Sequence, residues 1–173
     1  MNQLMEADRM EENALEIVKR PVYVPELLRS CAEEISATTF ARNIVFSSSH
    51  APEVDIVAAD EGLLRRALMN LQHNAVKNTK PGGQVEVHVE TSDGFLVISV
   101  YDTGVGIASE NIKELYHRFS RLSTTREGWG LGLYFCKLVA EAHGGKIEVK
   151  SQPGLGTSVR LAIPLETTAA ARR

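Results

Sequence analysis

One hairpin constrains this chain more than any other feature. Val85, Val87 and Val89 alternate with Glu86, His88 and Glu90. After Asp93-Gly94, the residues Leu96, Ile98 and Val100 alternate in the same way. Period-two alternation leaves a strand apolar on one face, and Asp-Gly is a tight turn that joins two such strands. Helices must then cover the apolar face. No strand is a continuous apolar run, which argues against a doubly wound fold. The expected class is α/β: a two-layer α/β sandwich with a mixed, mostly antiparallel sheet covered on one face by helices. Asp102 continues the apolar face at the end of the second strand, where a carboxylate is costly unless hydrogen-bonded.

The remaining elements follow from local signals. Residues 1–16 are charged and weakly amphipathic, with Leu4, Met5, Met10 and Leu15 as sparse anchors. Residues 17–24 read as a short edge strand bracketed by Pro21 and Pro25. Pro25-Glu26 opens a helix that runs to about Ala41. Residues 44–48 and 54–58 read as two strands joined by a polar loop. Asp60 is a good N-cap for a helix that ends near Pro81-Gly82-Gly83. A short helix is expected over 111–119, then a mobile loop over 121–130. Leu131, Tyr134, Phe135, Leu138 and Ala142 recur at helical spacing until Gly144-Gly145. Residues 146–151 and 157–165 form a last antiparallel pair, with Ile147, Val149, Val159, Leu161 and Ile163 inward. Residues 166–173 read as a disordered tail.

Composition narrows the function classes. A chain of 173 residues fits one domain with an appendage. A net charge of -3 gives no electrostatic reason to expect nucleic acid or an anionic membrane. No apolar run approaches the ~20 residues needed to span a bilayer. Cys31 and Cys136 lack metal-like spacing and read as buried small apolar residues of a reducing compartment.

The chemistry concentrates on the helix after Asp60. At about 100° per residue, Asn70, Asn74, Lys77 and Asn78 fall within about a third of a turn. The apolar residues Leu64, Ala67, Leu68, Leu71 and Ala75 form a neighbouring stripe, so the amides sit at the rim of the core. Asp102 is placed to accept a hydrogen bond from an exocyclic amine such as that of adenine. Gly104 and Gly106 allow close backbone approach to a ligand. Gly128, Gly130, Leu131, Gly132 and Leu133 lead into a helix whose free N–H groups can hold phosphate oxygens. Asn74 offers a neutral oxygen to a hydrated Mg²⁺.

These motifs resemble the ATP-binding catalytic domain of sensor histidine kinases, in the wider family shared by gyrase, Hsp90 and MutL. The stretch from Asn70 to Asn78 resembles the N box, and Asp102 to Ile107 the G1 box. Leu115 to Arg121 resembles the F box, Gly128 to Leu133 the G2 box, and Gly154 to Thr157 the last glycine motif. The resemblance spans about residues 22–165. It implies that Asn74, supported by Asn70, ligates Mg²⁺ and that Lys77 contacts phosphate. It also implies that Asp102 reads adenine, with Gly104, Gly106 and Ile107 beside the base. Arg118 and Arg121 are candidates for the terminal phosphate, and the backbone at Gly130, Leu131 and Gly132 for the others. Asn78 stands where the family has an aromatic or histidine, a loss of stacking worth about 1 kcal/mol. The lid expected over Arg121 to Glu127 also looks short. His117 and His143 read as structural.

Within the wider family the hydrolysing members carry a glutamate where this chain has Asn70. An amide cannot act as general base, which favours transfer to a histidine over activation of water. None of the five histidines sits in an acceptor motif; His50-Ala51-Pro52-Glu53 has the wrong order. Residues 1–16 resemble only the end of the helical hairpin that carries the acceptor, so residues 17–165 are read as a catalytic domain without its phosphoacceptor. The implied cofactors are ATP and Mg²⁺. The implied partners are a histidine-containing dimerisation domain and, indirectly, a response regulator. The fragment is expected to be monomeric and cytoplasmic, from a parent that is membrane-anchored in some cases. The alternative is a nucleotide-binding regulatory module with degenerate catalysis.

Overall fold

The hairpin forms where the alternation places it. In the computed structural model, which describes residues 16–116 and 132–166, strands β4 (Gln84–Ser92) and β5 (Phe95–Asp102) pair antiparallel. Asp93 (φ 52°) and Gly94 (φ 81°) turn between them, the left-handed pair such a turn requires. The other elements are β1 (Arg20–Tyr23), α1 (Val24–Ala41), β2 (Val45–His50), β3 (Ile56–Ala59) and α2 (Glu61–Asn78) before the hairpin. After it come α3 (Ser109–Ile112), a 3-10 turn (Lys113–Tyr116), α4 (Gly132–Ala142), β6 (Lys146–Gln152) and β7 (Gly156–Pro164).

Five strands make the main sheet in the order β2-β4-β5-β7-β6. Only β2 and β4 run parallel; the other neighbours are antiparallel. The rows Val87–Val100–Val159–Val149 and Val89–Ile98–Leu161–Ile147 line one face. Helices α1, α2 and α4 close over that face. Leu27, Leu28, Cys31 and Ile35 of α1 are buried, as are Leu64, Ala67, Leu68, Leu71 and Ala75 of α2 and Phe135, Cys136, Val139 and Ala140 of α4. Asp60 caps α2 as expected, its Oδ1 accepting from Leu63 N at 3.1 Å. Cys136 Sγ donates to Ala67 O at 3.4 Å, and the Arg66 guanidinium lies 4.3 Å from the centre of the Phe135 ring. Both cysteines are free and fully buried.

His143 ties α4 to the start of α2. Its Nδ1 donates to Val139 O at 2.8 Å, and its Nε2 accepts the Asp60 N–H at 3.0 Å. Both ring nitrogens are engaged and the side chain is buried, which makes it a structural residue.

Three details go beyond or differ from the sequence reading, the first being a pairing that it left open. The strands on either side of Pro52 do not share a sheet, because β2 joins β4 while β3 pairs with β1 in a separate two-stranded sheet. The short helix starts earlier, at Ser109, and tightens into a 3-10 turn. Finally, β5 is buried on both faces from Leu96 to Val100. On its outer side, Glu90 faces Val97 and Arg160 faces Ser99, and their charged ends meet at 3.6 Å across the strand. Long charged stems thus do the covering that the alternation assigned to solvent. Among the described residues, no helix is long and apolar enough to cross a membrane.

Candidate functional site

The ends of β5 and α2 meet the hairpin β6–β7 at one edge of the sandwich. Asp102 ends β5 on the helix-facing side, opposite Thr157 on β7. Gly104 follows it and is buried against α2: a Cβ there would lie 2.4 Å from Asn78 O and 2.7 Å from Asp102 Oδ1. Only a glycine fits. Gly104 N donates to Asp102 Oδ1 at 2.8 Å and Val105 N to Asn78 O at 3.2 Å. On the other side Gly106 (φ +70°) is so close to β6 that a Cβ would meet Gln152 O at 2.0 Å. Thr103 closes the third side, its Oγ1 accepting from Gln84 N at 2.9 Å. The loop after β5 is therefore pinned by α2, β4 and β6 at once.

Half-burial pushes the Asp102 carboxyl above its ordinary value, against the lowering effect of N–H groups from Gly104 and Thr157. A half-buried carboxylate that burial deprives of water is a strong acceptor for a ligand N–H.

Ser151 and Thr157 complete this wall. The Ser151 hydroxyl donates to Gly156 O at 2.8 Å and accepts the Ile107 N–H at 2.8 Å. Its single proton being spent, the 2.8 Å contact with Thr157 Oγ1 has threonine as donor. Sequence reasoning passed over Ser151 and Thr103. The signal for Ser151 was present, since it continues the inward register of Ile147 and Val149.

The amide stripe lies along the same cleft. Asn70, Lys77 and Asn78 are half-buried and Asn74 is exposed. Asn78 Nδ2 donates back to Asn74 O at 2.8 Å, so its side chain lies along its own helix. Gly132, the first residue of α4, sits directly over the amides. A Cβ there would lie 3.4 Å from Asn74 Nδ2 and 3.8 Å from both Asn74 Oδ1 and Asn70 Cγ. Two neutral amides thus face the N-terminal end of an 11-residue helix, where free N–H groups favour anions. Hard oxygen donors beside an anion-binding helix end suit a hydrated Mg²⁺ that bridges phosphates. Leu133 packs against the hydrophobic core. Arg118, Arg121, Gly128, Gly130 and Leu131 lie outside the described residues, as do His117 and Trp129.

Comparison with known proteins places this geometry. Residues 59–167 match the family described as histidine kinase-, DNA gyrase B-, and HSP90-like ATPase. An uncharacterized sensor-like histidine kinase of Rhizobium meliloti (strain 1021) is 32% identical over 177 residues, covering 100% of this chain and 34% of that protein. The full-length ShkA structure in complex with AMPPNP aligns with a TM-score of 0.85 at 30% identity, covering 94% of this chain and 34% of that one. The nucleotide-free catalytic domain of histidine kinase ThkA aligns at 0.76 and 26% identity, over 86% of this chain and 96% of that domain. The chain thus spans about a third of the length of its sensor-kinase relatives. With the family match covering more than half of its residues and the fold and glycine-backed cleft agreeing, the chain belongs to the histidine kinase-, DNA gyrase B- and HSP90-like ATPase family.

Proposed function

We propose that this chain binds Mg-ATP in the cleft between α2, the loop after β5 and the start of α4, and donates the γ-phosphoryl group to a histidine on a separate domain. The observation that carries the reading is the convergence of the half-buried Asp102 carboxylate with a backbone that only glycine permits at position 104. In this reading Asp102 accepts the adenine amine, and Gly104, Gly106 and Ile107 let the base lie against the loop. Asn74 and Asn70 hold the metal. Lys77 and the N–H groups at the start of α4 hold phosphate oxygens, a role that the family resemblance also assigns to Gly128, Gly130 and Leu131. The family resemblance makes Arg118 and Arg121 the candidates for the terminal phosphate.

Mg²⁺ supplies charge neutralisation on the phosphate oxygens. The imidazole nitrogen of the acceptor forms the N–P bond as the bond from Pγ to the bridging oxygen breaks, and ADP leaves with the electron pair. The chain's own contribution is positioning and charge. Asn70 cannot take a proton from water, so hydrolysis lacks a base where transfer to a neutral imidazole does not need one. Partners implied by this reading are the phosphoacceptor dimerisation domain and, through it, a response regulator.

One observation favours the alternative of a regulatory nucleotide-binding module. The side chain at position 78 is an amide folded onto Asn74 O and offers no ring to stack on the base. Mixing the chain with a separately produced acceptor hairpin and γ-labelled radioactive ATP separates the two readings. Acid-labile, base-stable label on the hairpin supports the kinase. Saturable ATP binding with no label on the hairpin overturns it in favour of the module.

A further inference from the structure

The two edges of the main sheet are built differently. Along the β6 edge, Lys146, Glu148 and Lys150 alternate with inward residues, charges of the kind that discourage another strand from adding. The β2 edge reads Val-Phe-Ser-Ser-Ser-His, with no lysine, acid or proline. Its ladder to β4 uses every second residue: Val45 N donates to Gly83 O at 2.9 Å and, in the same phase, Ala51 N donates to Val89 O at 2.8 Å. In a parallel pair the residues between turn their backbone the other way. Phe46, Ser48 and His50 therefore present their N–H and C=O groups away from β4, where no described strand lies.

The same three side chains face inward, in register with Val85, Val87 and Val89. Serine and histidine there leave the layer underfilled. A cleft of about 440 Å³ results between α1 and β2, lined by Leu28, Ala32, Ser36, Ser48 and His50. A strand added beyond β2 would place alternate side chains into it. The region around His50 is acidic: Arg29 on the cleft wall is shared between Glu26 and Glu33, and exposed Glu53 and Asp55 follow β2.

We propose that the free edge of β2 is a strand-addition site for an extended segment of a partner polypeptide, alternating polar and small apolar residues and basic where it passes His50. Backbone hydrogen bonds to Phe46, Ser48 and His50 give the affinity, and the cleft against α1 selects the inward side chains. This site lies apart from the nucleotide cleft and does not depend on it.

Amide hydrogen exchange on the full chain, read by NMR, tests the proposal. The probe is a capped peptide alternating threonine and valine with a lysine at each end. At millimolar peptide the Phe46, Ser48 and His50 amides should slow by roughly tenfold or more, while Val45, Ser47 and Ser49 change little. Ser48→Pro removes the central free donor without touching the ladder, because that N–H faces away from β4. It should abolish the protection and leave the far-UV spectrum unchanged. A peptide N-methylated at its edge-facing amides should fail on the wild type as well, and a glutamate-ended peptide should bind at least about fivefold more weakly. Four results would overturn the proposal: no slowing with the lysine-ended peptide, equal slowing with the N-methylated one, no preference for lysine over glutamate ends, or protection before any peptide is added in a chain that sediments as a dimer. The last would assign the edge to a second copy.

Discussion

Gln72 should be a destabilising residue, and replacing it with methionine should strengthen the fold. The side chain is fully buried on α2, and among the described residues neither Nε2 nor Oε1 has a hydrogen-bond partner. An unsatisfied buried polar group costs roughly 1–3 kcal/mol. Methionine matches glutamine closely in length and adds no unmet donor or acceptor. Allowing about 1 kcal/mol for imperfect packing of the new side chain, Gln72→Met should gain up to about 2 kcal/mol. For a chain of this size, where each kcal/mol moves Tm by roughly 2–4 °C, that corresponds to a rise of up to about 8 °C. Urea unfolding followed by circular dichroism gives the free energy, with an unchanged m-value confirming that the denatured state is not what moved. Gln72 lies about half a turn from Asn70 and Asn74, so Mg-ADP affinity should stay within about twofold. A loss of 1 kcal/mol or more in the variant would refute the reasoning, because it would mean that the amide has partners worth keeping, such as an ordered internal water.

Three further outcomes follow from the site. Gly104→Ala would push a methyl group to 2.4 Å from Asn78 O; we expect a loss of about 2–4 kcal/mol in stability and at least about tenfold in Mg-ADP affinity, whereas Gly94→Ala, with open space around its Cβ position, costs only its positive φ, about 1 kcal/mol. Asp102 has a folded-state pKa above its unfolded value, so its protonation favours the fold at low pH and this contribution is lost as pH rises through the folded pKa; the wild type should therefore gain stability relative to Asp102→Asn between neutral and mildly acidic pH, and a flat or opposite difference in thermal unfolding would contradict the assignment. Asn74→Ala should reduce nucleotide affinity in Mg²⁺ to the level seen in EDTA, while leaving the EDTA value itself unchanged in the same titration.

How much of this was legible in the sequence depends on the range of the interaction. The β4–β5 hairpin, the Asp60 cap and the buried faces of α1, α2 and α4 all follow from patterns within one or two elements, and the structure reproduces them. The partners of β2 and β3 were not legible. Their pairing is decided by which distant strand completes the sheet, and neither carries an alternation strong enough to say so. The double burial of β5 was hidden for a similar reason: Val97 and Ser99 are covered by Glu90 and Arg160 from its two neighbours. At the site, Asp102, Gly104 and the amide stripe were readable because their residue types are costly without a purpose. Thr103 is an ordinary loop residue to which only the crossing of the loop against β4 gives a role, whereas Ser151 carried its inward register in the sequence but not its partner, the Ile107 N–H.

The most direct test of the account is isothermal titration of Mg-ADP into the wild type and Asp102→Asn. The carboxylate on the helix-facing side of the sheet's end is the group to which the proposed function assigns the adenine amine. Saturable heat in the wild type, weakened at least about tenfold in the variant, is the predicted result, since a hydrogen bond to a charged acceptor is worth about 1.5–3 kcal/mol. Heat no greater than dilution for the wild type at millimolar nucleotide, or equal affinity in both proteins, would contradict it.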